Sequence, residues 1–306
     1  MENNTATDTV TLLDGGIGRQ LLQMGAPFRQ PEWSALALIE APHFVRQAHE
    51  QFALAGSDIL TTNSYAVVPY HIGKERFVAD GASLAALSGQ LAHDVAAQFG
   101  CQVAGSLPPL FGSYRPDLFV EEKAHALLRV LVDALDPYVD LWLAETLSEI
   151  TEAKVVLDML LNDKRPVWIS YTLQDGNPSP AGKPQLRSGE SVPDAVQFAA
   201  EHGAAAILFN CSQPEVMAPA IDATQQELHH LGINLPIGVY ANAFPAQRKD
   251  AQANLSIQEV RQNIDPSGYA AFAAGWHQQG ARIIGGCCGI GPEHIAALHT
   301  MFKKNV

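Results

Sequence analysis

The stretch Ala281-Arg282-Ile283-Ile284-Gly285-Gly286-Cys287-Cys288-Gly289 decides how the fold is interpreted. Its apolar start predicts a buried strand, and the glycines and paired cysteines that follow predict a functional turn at the strand end. The chain has only four cysteines, and a third, Cys211, also ends an apolar run. Three thiols at two strand ends can hold a zinc ion with one position open, which is a catalytic arrangement.

Seven more apolar runs precede this one, and a helix-like segment follows each run. Short apolar runs that alternate with helical segments indicate a parallel sheet covered by helices. The eight runs are Thr9–Asp14, Ile59–Thr62, Gln102–Gly105, Leu141–Glu145, Val167–Thr172, Ala206–Asn210, Ile237–Tyr240 and Arg282–Gly285. Eight such units predict an α/β fold, a (β/α)8 TIM barrel, as a single domain over residues 1–306; an open doubly wound sheet is the rival architecture.

A barrel of this kind carries its active site at the carboxyl ends of its strands. The polar residues that end the runs are therefore the candidate site residues. They are Asp14, Thr62-Asn63, Ser106, Glu145, Thr172, Asn210-Cys211, Asn242 and Cys287-Cys288. We also expect the runs that end at Cys211 and Cys287 to adjoin in the closed barrel. The stretches 15–41 and 63–77 read as long loops on the same side of the sheet.

The charge and composition of the chain exclude several classes of function. The formal net charge is −13 with a pI of about 5.2, so neither nucleic acid nor an anionic membrane is an expected partner. No apolar run approaches the roughly 20 residues that span a bilayer, and the polar start does not resemble a signal peptide. Four cysteines in 306 residues do not form a disulfide framework. We expect a cytoplasmic protein whose partners are small molecules.

The chain resembles the homocysteine S-methyltransferase family over nearly its whole length. Asn210-Cys211 and the Gly285–Gly289 segment together carry the most specific part of the likeness. Weaker matches are Leu13-Asp14-Gly15-Gly16, Thr62-Asn63-Ser64-Tyr65 and Glu145-Thr146. The resemblance implies a zinc-containing barrel enzyme, with one Zn²⁺ per chain, that methylates homocysteine to methionine.

The resemblance also implies roles for individual residues. Cys211, Cys287 and Cys288 would be both the catalytic and the metal-binding residues. Glu145 and Asp14 would bind the amino group of homocysteine. The residues themselves suggest further roles: the Gly15 and Gly16 amides are candidates for the substrate carboxylate, and the Thr62 hydroxyl is a candidate donor to the substrate. We expect Asn210 to orient the metal loop from behind it.

Structural explanations compete for each of these residues. The adjacent cysteines could form a buried pair without metal, and the surrounding glycines could cradle a phosphate or simply permit a turn. Glu145 could form a salt bridge, and Asp14 could be a turn residue. Thr62 could be a packed strand-end hydroxyl. Cys101 lies at the start of a run, the opposite end of the barrel, and is expected to be a small core residue.

Several functions remain open at this level. A sulfonium compound, S-methylmethionine or S-adenosylmethionine, is the leading methyl donor, and the acidic chain suits a cationic donor. Betaine or another donor, with a thiol or selenol acceptor, is the alternative. A barrel lyase or aldolase would need a lysine at a strand end, and no run ends in one. A non-catalytic dithiol redox or metal sensor would not need Asp14 and Glu145.

Overall fold

The computed structural model describes residues 9–176, 183–246 and 259–303. Each of the eight apolar runs forms a strand near its expected position, with ends shifted by up to two residues. The strands are β1 Thr11–Leu12, β2 Ile59–Thr61, β3 Gln102–Leu107, β4 Leu141–Leu147, β5 Val167–Tyr171, β6 Ala206–Asn210, β7 Ile237–Tyr240 and β8 Ala281–Ile284.

The strands are all parallel and follow one another around a barrel. Their order is β1-β8-β7-β6-β5-β4-β3-β2. A parallel bridge between Leu13 and Ile59 joins the two ends of this order, and the Asp58 amide donates to the Leu12 carbonyl oxygen at 2.8 Å. The predicted (β/α)8 barrel is therefore confirmed, and the open doubly wound sheet is wrong.

Helices cover the outside of the barrel. They are α1 Ile17–Gln23, α2 Ser34–Glu40, α3 Pro42–Ala55, α4 Pro69–Ile72, α5 Lys74–Phe99, α6 Glu121–Leu135, α7 Ile150–Met159, α8 Val192–Glu201, α9 Met217–Leu231, α10 Pro266–Gln278 and α11 Pro292–Phe302. Short 3-10 helices occupy Pro116–Leu118, Asp136–Tyr138 and Pro214–Val216. No helix of the described ranges is long and apolar enough to cross a membrane.

Apolar side chains fill the barrel interior and the layer between strands and helices. Inside, Leu13, Ile59, Leu143, Leu208 and Ile283 form a fully buried cluster. Such a packed interior leaves the carboxyl ends of the strands as the place for a site, because the barrel is not an open pore.

The stretches 15–41 and 63–77 are not simple loops, as the sequence suggested. They contain α1, α2 and α4, and α5 begins at Lys74. The helices α1, α2 and α4 are short, and none of the three has a side-chain hydrogen bond at its N-cap. Burial stabilises them instead: Leu21, Leu38 and Ile72 are all packed in the core. Tertiary contacts of this kind are not visible in local sequence signals.

Candidate metal and substrate site

Three thiols meet at the carboxyl end of the barrel. The sulfur atoms of Cys211, Cys287 and Cys288 all lie within 4.8 Å of one another, and Cys211 Sγ is 3.9 Å from Cys288 Sγ. Cys211 is buried. Cys101 lies apart at the start of β3, where its thiol donates to the Ser57 carbonyl oxygen at 3.2 Å. The sequence therefore identified which cysteines come together.

The segment after β7 joins the two cysteine segments. The runs ending at Cys211 and Cys287 do not adjoin as expected, because β7 lies between β6 and β8. The Cys211 amide donates to the Tyr240 carbonyl oxygen, and the Cys287 amide donates to that of Ala241. The Ala243 amide donates to the Cys288 carbonyl oxygen at 2.9 Å. Backbone hydrogen bonds to the end of β7 and the residues after it therefore fix the positions of both cysteine segments.

The chemistry of the three sulfur atoms fits a soft divalent cation. Hydrogen bonds from Cys287 and Cys288 lower the pKa of Cys211. Hydrogen bonding to Cys211 in turn raises the pKa of both Cys287 and Cys288. Three thiols this close cannot all lose their protons unless a cation balances the negative charge of the three thiolates. Thiolate ligands at this spacing suit Zn²⁺, and three protein ligands leave a position open.

Tyr114, in the segment after β3, contacts the thiol cluster. Its hydroxyl donates to Cys211 Sγ at 2.9 Å, and its φ of 65° is in the left-handed region. The Arg187 guanidinium lies 4.7 Å from the centre of the Tyr114 ring. Arg187 also pairs with Asp175 at 2.9 Å, and both side chains are buried. Tyr114 was not found by sequence reasoning, because nothing local connects it to Cys211.

Asp14 follows β1 and is held by the next strand. Its carboxylate accepts hydrogen bonds from the Thr61 amide and the Thr61 hydroxyl, each at 2.8 Å. Burial raises the pKa of Asp14 to about 7. A turn residue would be exposed, whereas Asp14 is 4% exposed and lines the cavity described below. A positive charge placed beside this carboxyl would favour its ionised form.

Glu145 lies on β4 with hydroxyl partners. The Ser106 hydroxyl donates to its Oε1 at 2.5 Å, and the Tyr240 hydroxyl donates to its Oε2 at 3.3 Å. Burial raises the pKa of Glu145 to about 7, and the nearby Asp14 charge acts in the same direction. No basic side chain of the described residues pairs with Glu145, which excludes the salt-bridge explanation there.

Asn210 and Thr62 form contacts within the protein. The Asn210 amide oxygen accepts from the Thr146 amide at 2.9 Å, and its amide nitrogen donates to the Thr146 hydroxyl at 2.8 Å. The side chain of Asn210 therefore holds Thr146, the neighbour of Glu145 at the end of β4. The Thr62 hydroxyl accepts from the Ser106 amide and shares a hydrogen bond with Ser64. Thr62 lines the cavity, but its hydroxyl already forms these hydrogen bonds within the protein.

Gly16 allows the segment after β1 to pass close to the thiol segment. A Cβ atom there would clash with the Cys287 carbonyl group, whose carbon would be 2.9 Å away. The Gly16 amide donates to the Ile290 carbonyl oxygen at 2.9 Å, so it is not available to a substrate carboxylate. Of the two glycine amides expected to bind substrate, Gly15 remains the candidate.

One cavity of about 1170 Å³, counting its open mouth, unites these groups. Asp14, Glu145 and the three cysteines line it, together with Arg19 and several aromatic side chains. The aromatic residues are Phe28, Trp33, Tyr65, Tyr114, Tyr240 and Phe244. Within the described ranges, the non-glycine residues with positive φ are Trp33, Tyr114, Thr146 and Cys211, and all four line this cavity. Such backbone strain concentrates at functional sites.

Known proteins resemble this chain over nearly its whole length. The sequence model of the family described as homocysteine S-methyltransferase matches residues 11–302. Homocysteine S-methyltransferase 1 of Zea mays is 27% identical, over 95% of this chain and 94% of the relative. Selenocysteine methyltransferase of Astragalus bisulcatus is 24% identical, over 96% and 92%. The metallated crystal structure of the Escherichia coli homocysteine methyltransferase MmuM has a TM-score of 0.74 and 28% identity, covering 95% of this chain and 96% of that one.

Proposed function

The chain belongs to the homocysteine S-methyltransferase family, and we propose that it moves a methyl group from a sulfonium donor to the homocysteine sulfur. The observation that carries the proposal is the cluster of three thiols in one cavity with Asp14 and Glu145. A sensor would need the thiols alone. A methyltransferase that binds an amino acid needs both the sulfur cluster and the carboxylates.

We assign Cys211, Cys287 and Cys288 as ligands of one Zn²⁺ per chain. The bound metal would lower the pKa of the homocysteine thiol and fix the resulting thiolate in place. The protein contributes the hydrogen bond from Tyr114 to Cys211 and the backbone contacts that hold the two cysteine segments together. Such outer contacts orient metal ligands and tune their basicity.

Asp14 and Glu145 bind the α-ammonium group of homocysteine in this proposal. Both carboxyls are buried and have raised pKa values, because burial disfavours their ionised forms. An incoming ammonium group would stabilise both carboxylates as ion-pair partners. The Gly15 amide and the Arg19 guanidinium, which also lines the cavity, are suited to the substrate carboxylate. Together these groups hold the amino acid so that its sulfur faces the cysteines.

The aromatic side chains of the cavity support a cationic methyl donor. Trp33 and Tyr65 pack edge to face with ring centres 5.8 Å apart, and both line the cavity. Aromatic faces attract sulfonium and ammonium cations. The homocysteine sulfur forms the new bond to the methyl carbon while the S–CH₃ bond of the sulfonium breaks. The electron pair of that bond stays on the departing sulfur, so no proton moves on the donor side.

A selenol is the alternative acceptor. The relative from Astragalus bisulcatus is a selenocysteine methyltransferase, and the carboxylates that bind one amino acid suit another. A dry site would favour both acceptors for the same reason, because thiolate or selenolate and sulfonium neutralise each other in the transition state.

Separate donor assays test the function. Zinc-loaded protein receives homocysteine with S-methylmethionine, S-adenosylmethionine, betaine or methyltetrahydrofolate, and methionine is followed. We expect the highest kcat/KM with S-methylmethionine and slower turnover with S-adenosylmethionine. Turnover with betaine or the folate, and none with either sulfonium, would overturn the proposed donor.

We further propose that residues 1–306 form one homocysteine-binding barrel domain and that the protein is cytoplasmic. The strands and helices that build the barrel are distributed from residue 11 to residue 302. All four cysteines are free. A reducing compartment would keep the three clustered thiols available for metal. Proteolysis that yields a stable smaller fragment, or an oxidised thiol cluster in protein isolated from cells, would contradict these two proposals.

A further inference from the structure

His71, on α4, is a buried side chain that the proposed chemistry does not use. It is 2% exposed, and it lines the substrate cavity. Its Nδ1 atom lies 2.7 Å from the Pro31 carbonyl oxygen. Because a carbonyl oxygen can only accept, Nδ1 must carry the proton, and Nε2 of the neutral ring must be an acceptor.

This acceptor has no partner in the described part of the chain. Nε2 of His71 is buried and forms no hydrogen bond there. A buried acceptor without a donor destabilises a protein, so its retention beside a ligand cavity points to a ligand that supplies the donor. Burial lowers the pKa of His71 to about 4, so the ring stays neutral and does not repel a cation.

His71 belongs to the aromatic wall of the cavity. Its ring stacks on Trp33 with centres 6.0 Å apart and an angle of 21° between planes. Trp33 in turn packs edge to face on Tyr65. These faces suit the sulfonium, while Asp14 and Glu145 already serve the ammonium of homocysteine. The His71 Nε2 atom, which is the remaining hydrogen-bond acceptor, is therefore suited to the methyl donor.

We propose that His71 Nε2 accepts a hydrogen bond from the α-ammonium group of the methyl donor, which selects sulfonium amino acids over betaine. Betaine carries no N–H or O–H donor in its zwitterionic form and leaves Nε2 unpaired. A site that is built to hydrogen-bond a substrate discriminates strongly against an analogue that lacks the partner group. This inference rests on the proposed sulfonium-dependent function.

The test compares two donors and two variants. The donors are S-methylmethionine and its deamino analogue, a dimethylsulfonium with a butyrate tail. His71→Asn places an amide nitrogen where Nδ1 was, so it retains a donor toward Pro31 and loses Nε2. His71→Gln places an amide group where Nε2 was, so it retains an acceptor in that position. Zinc content and the homocysteine KM are measured for each variant.

We expect His71→Asn to lower kcat/KM for S-methylmethionine at least about tenfold more than for the deamino analogue, since hydrogen bonds to charged groups are strong. His71→Gln should recover most of that difference. The homocysteine KM and the zinc content should stay near the wild-type values in both variants.

Three results would contradict the inference in distinguishable ways. Equal losses with both donors would mean that His71 has only a packing role. A rise in the homocysteine KM alone would mean that Nε2 contacts homocysteine and not the methyl donor. If wild-type protein uses betaine and neither sulfonium, the proposed function fails and the role of His71 fails with it.

Discussion

The Tyr114 hydroxyl donates a hydrogen bond to Cys211 Sγ over 2.9 Å, although the two residues are 97 positions apart in the chain. This contact joins the segment after β3 to the thiol cluster after β6 and β8. The stacked Arg187 guanidinium and its partner Asp175 place a buried ion pair behind the same tyrosine. The thiols are therefore supported by polar groups as well as by backbone.

We expect Tyr114→Phe to weaken zinc binding about tenfold, because contacts to metal ligands typically contribute 10- to 100-fold in affinity. Competition with a chromophoric chelator measures the change. Tyr70→Phe is the matched control, since its hydroxyl contacts Ser113 at 2.9 Å and no sulfur atom. Equal zinc affinities for wild type and Tyr114→Phe would show that the contact does not support the metal.

We expect Glu145→Gln to weaken homocysteine binding at least about tenfold, because a lost charged hydrogen bond costs roughly 1.5–3 kcal/mol. Zinc content should not change, since Glu145 is not a proposed ligand. Calorimetric titration of the zinc-loaded protein measures the affinity. Glu122→Gln, on the exposed face of α6, is the control. Unchanged affinity in Glu145→Gln would remove Glu145 from the amino-group site.

Binding of methionine should release protons near pH 7. It has the ammonium of homocysteine but no thiol, so its binding reports the carboxyls alone. The free site has Asp14 and Glu145 with pKa values raised to about 7, so each is about half protonated there. The ammonium favours the ionised forms, and affinity should therefore rise as pH increases from 6 to 8.

Calorimetry in two buffers of different ionisation enthalpy counts these protons. Up to about one proton should be released per methionine at pH 7 in the wild type, and fewer in Glu145→Gln. The same proton count in both proteins, or affinity that falls with rising pH, would contradict the assignment.

Gly16→Ala should lower both stability and zinc affinity, because the added methyl group meets the Cys287 carbonyl group. The loss of stability should be about 1–3 kcal/mol, the usual cost of overpacking. Gly275→Ala, in α10, is the control: its Cβ would have no heavy atom within 4 Å, and the helix should gain about 0.5–1 kcal/mol. Denaturant unfolding with and without zinc measures both. A Gly16→Ala protein with wild-type stability would show that the two segments can separate without cost.

The sequence predicted what depends on local pattern. Apolar runs that alternate with helical segments indicated eight parallel strands, and thiols that end such runs indicated the cluster. Barrel topology then brings strand ends together, which is why Asp14, Glu145 and the cysteines could be grouped without coordinates.

Contacts between distant loops could not be read in this way. The sequence pointed to Thr62 as a substrate contact and did not point to Thr61, whose hydroxyl holds Asp14. Neighbouring residues of a strand point to opposite faces, and the strand end could not be located to one residue. Tyr114 reaches Cys211 through a left-handed backbone conformation that sequence does not specify for tyrosine. His71 lies on the four-residue helix α4, which has no side-chain hydrogen bond at its N-cap and is packed into the core. These side chains act across loops, where the sequence carries no periodic signal.

The most direct test of the central claim is zinc content with the sulfur coordination number of that zinc, measured by elemental analysis and X-ray absorption. We expect one zinc per chain with three sulfur ligands, rising to four when homocysteine is added. Cys211→Ala, Cys287→Ala and Cys288→Ala should lose zinc and activity, and Cys101→Ala should keep both. Full zinc and activity in Cys287→Ala, or a coordination number that homocysteine does not change, would contradict the account.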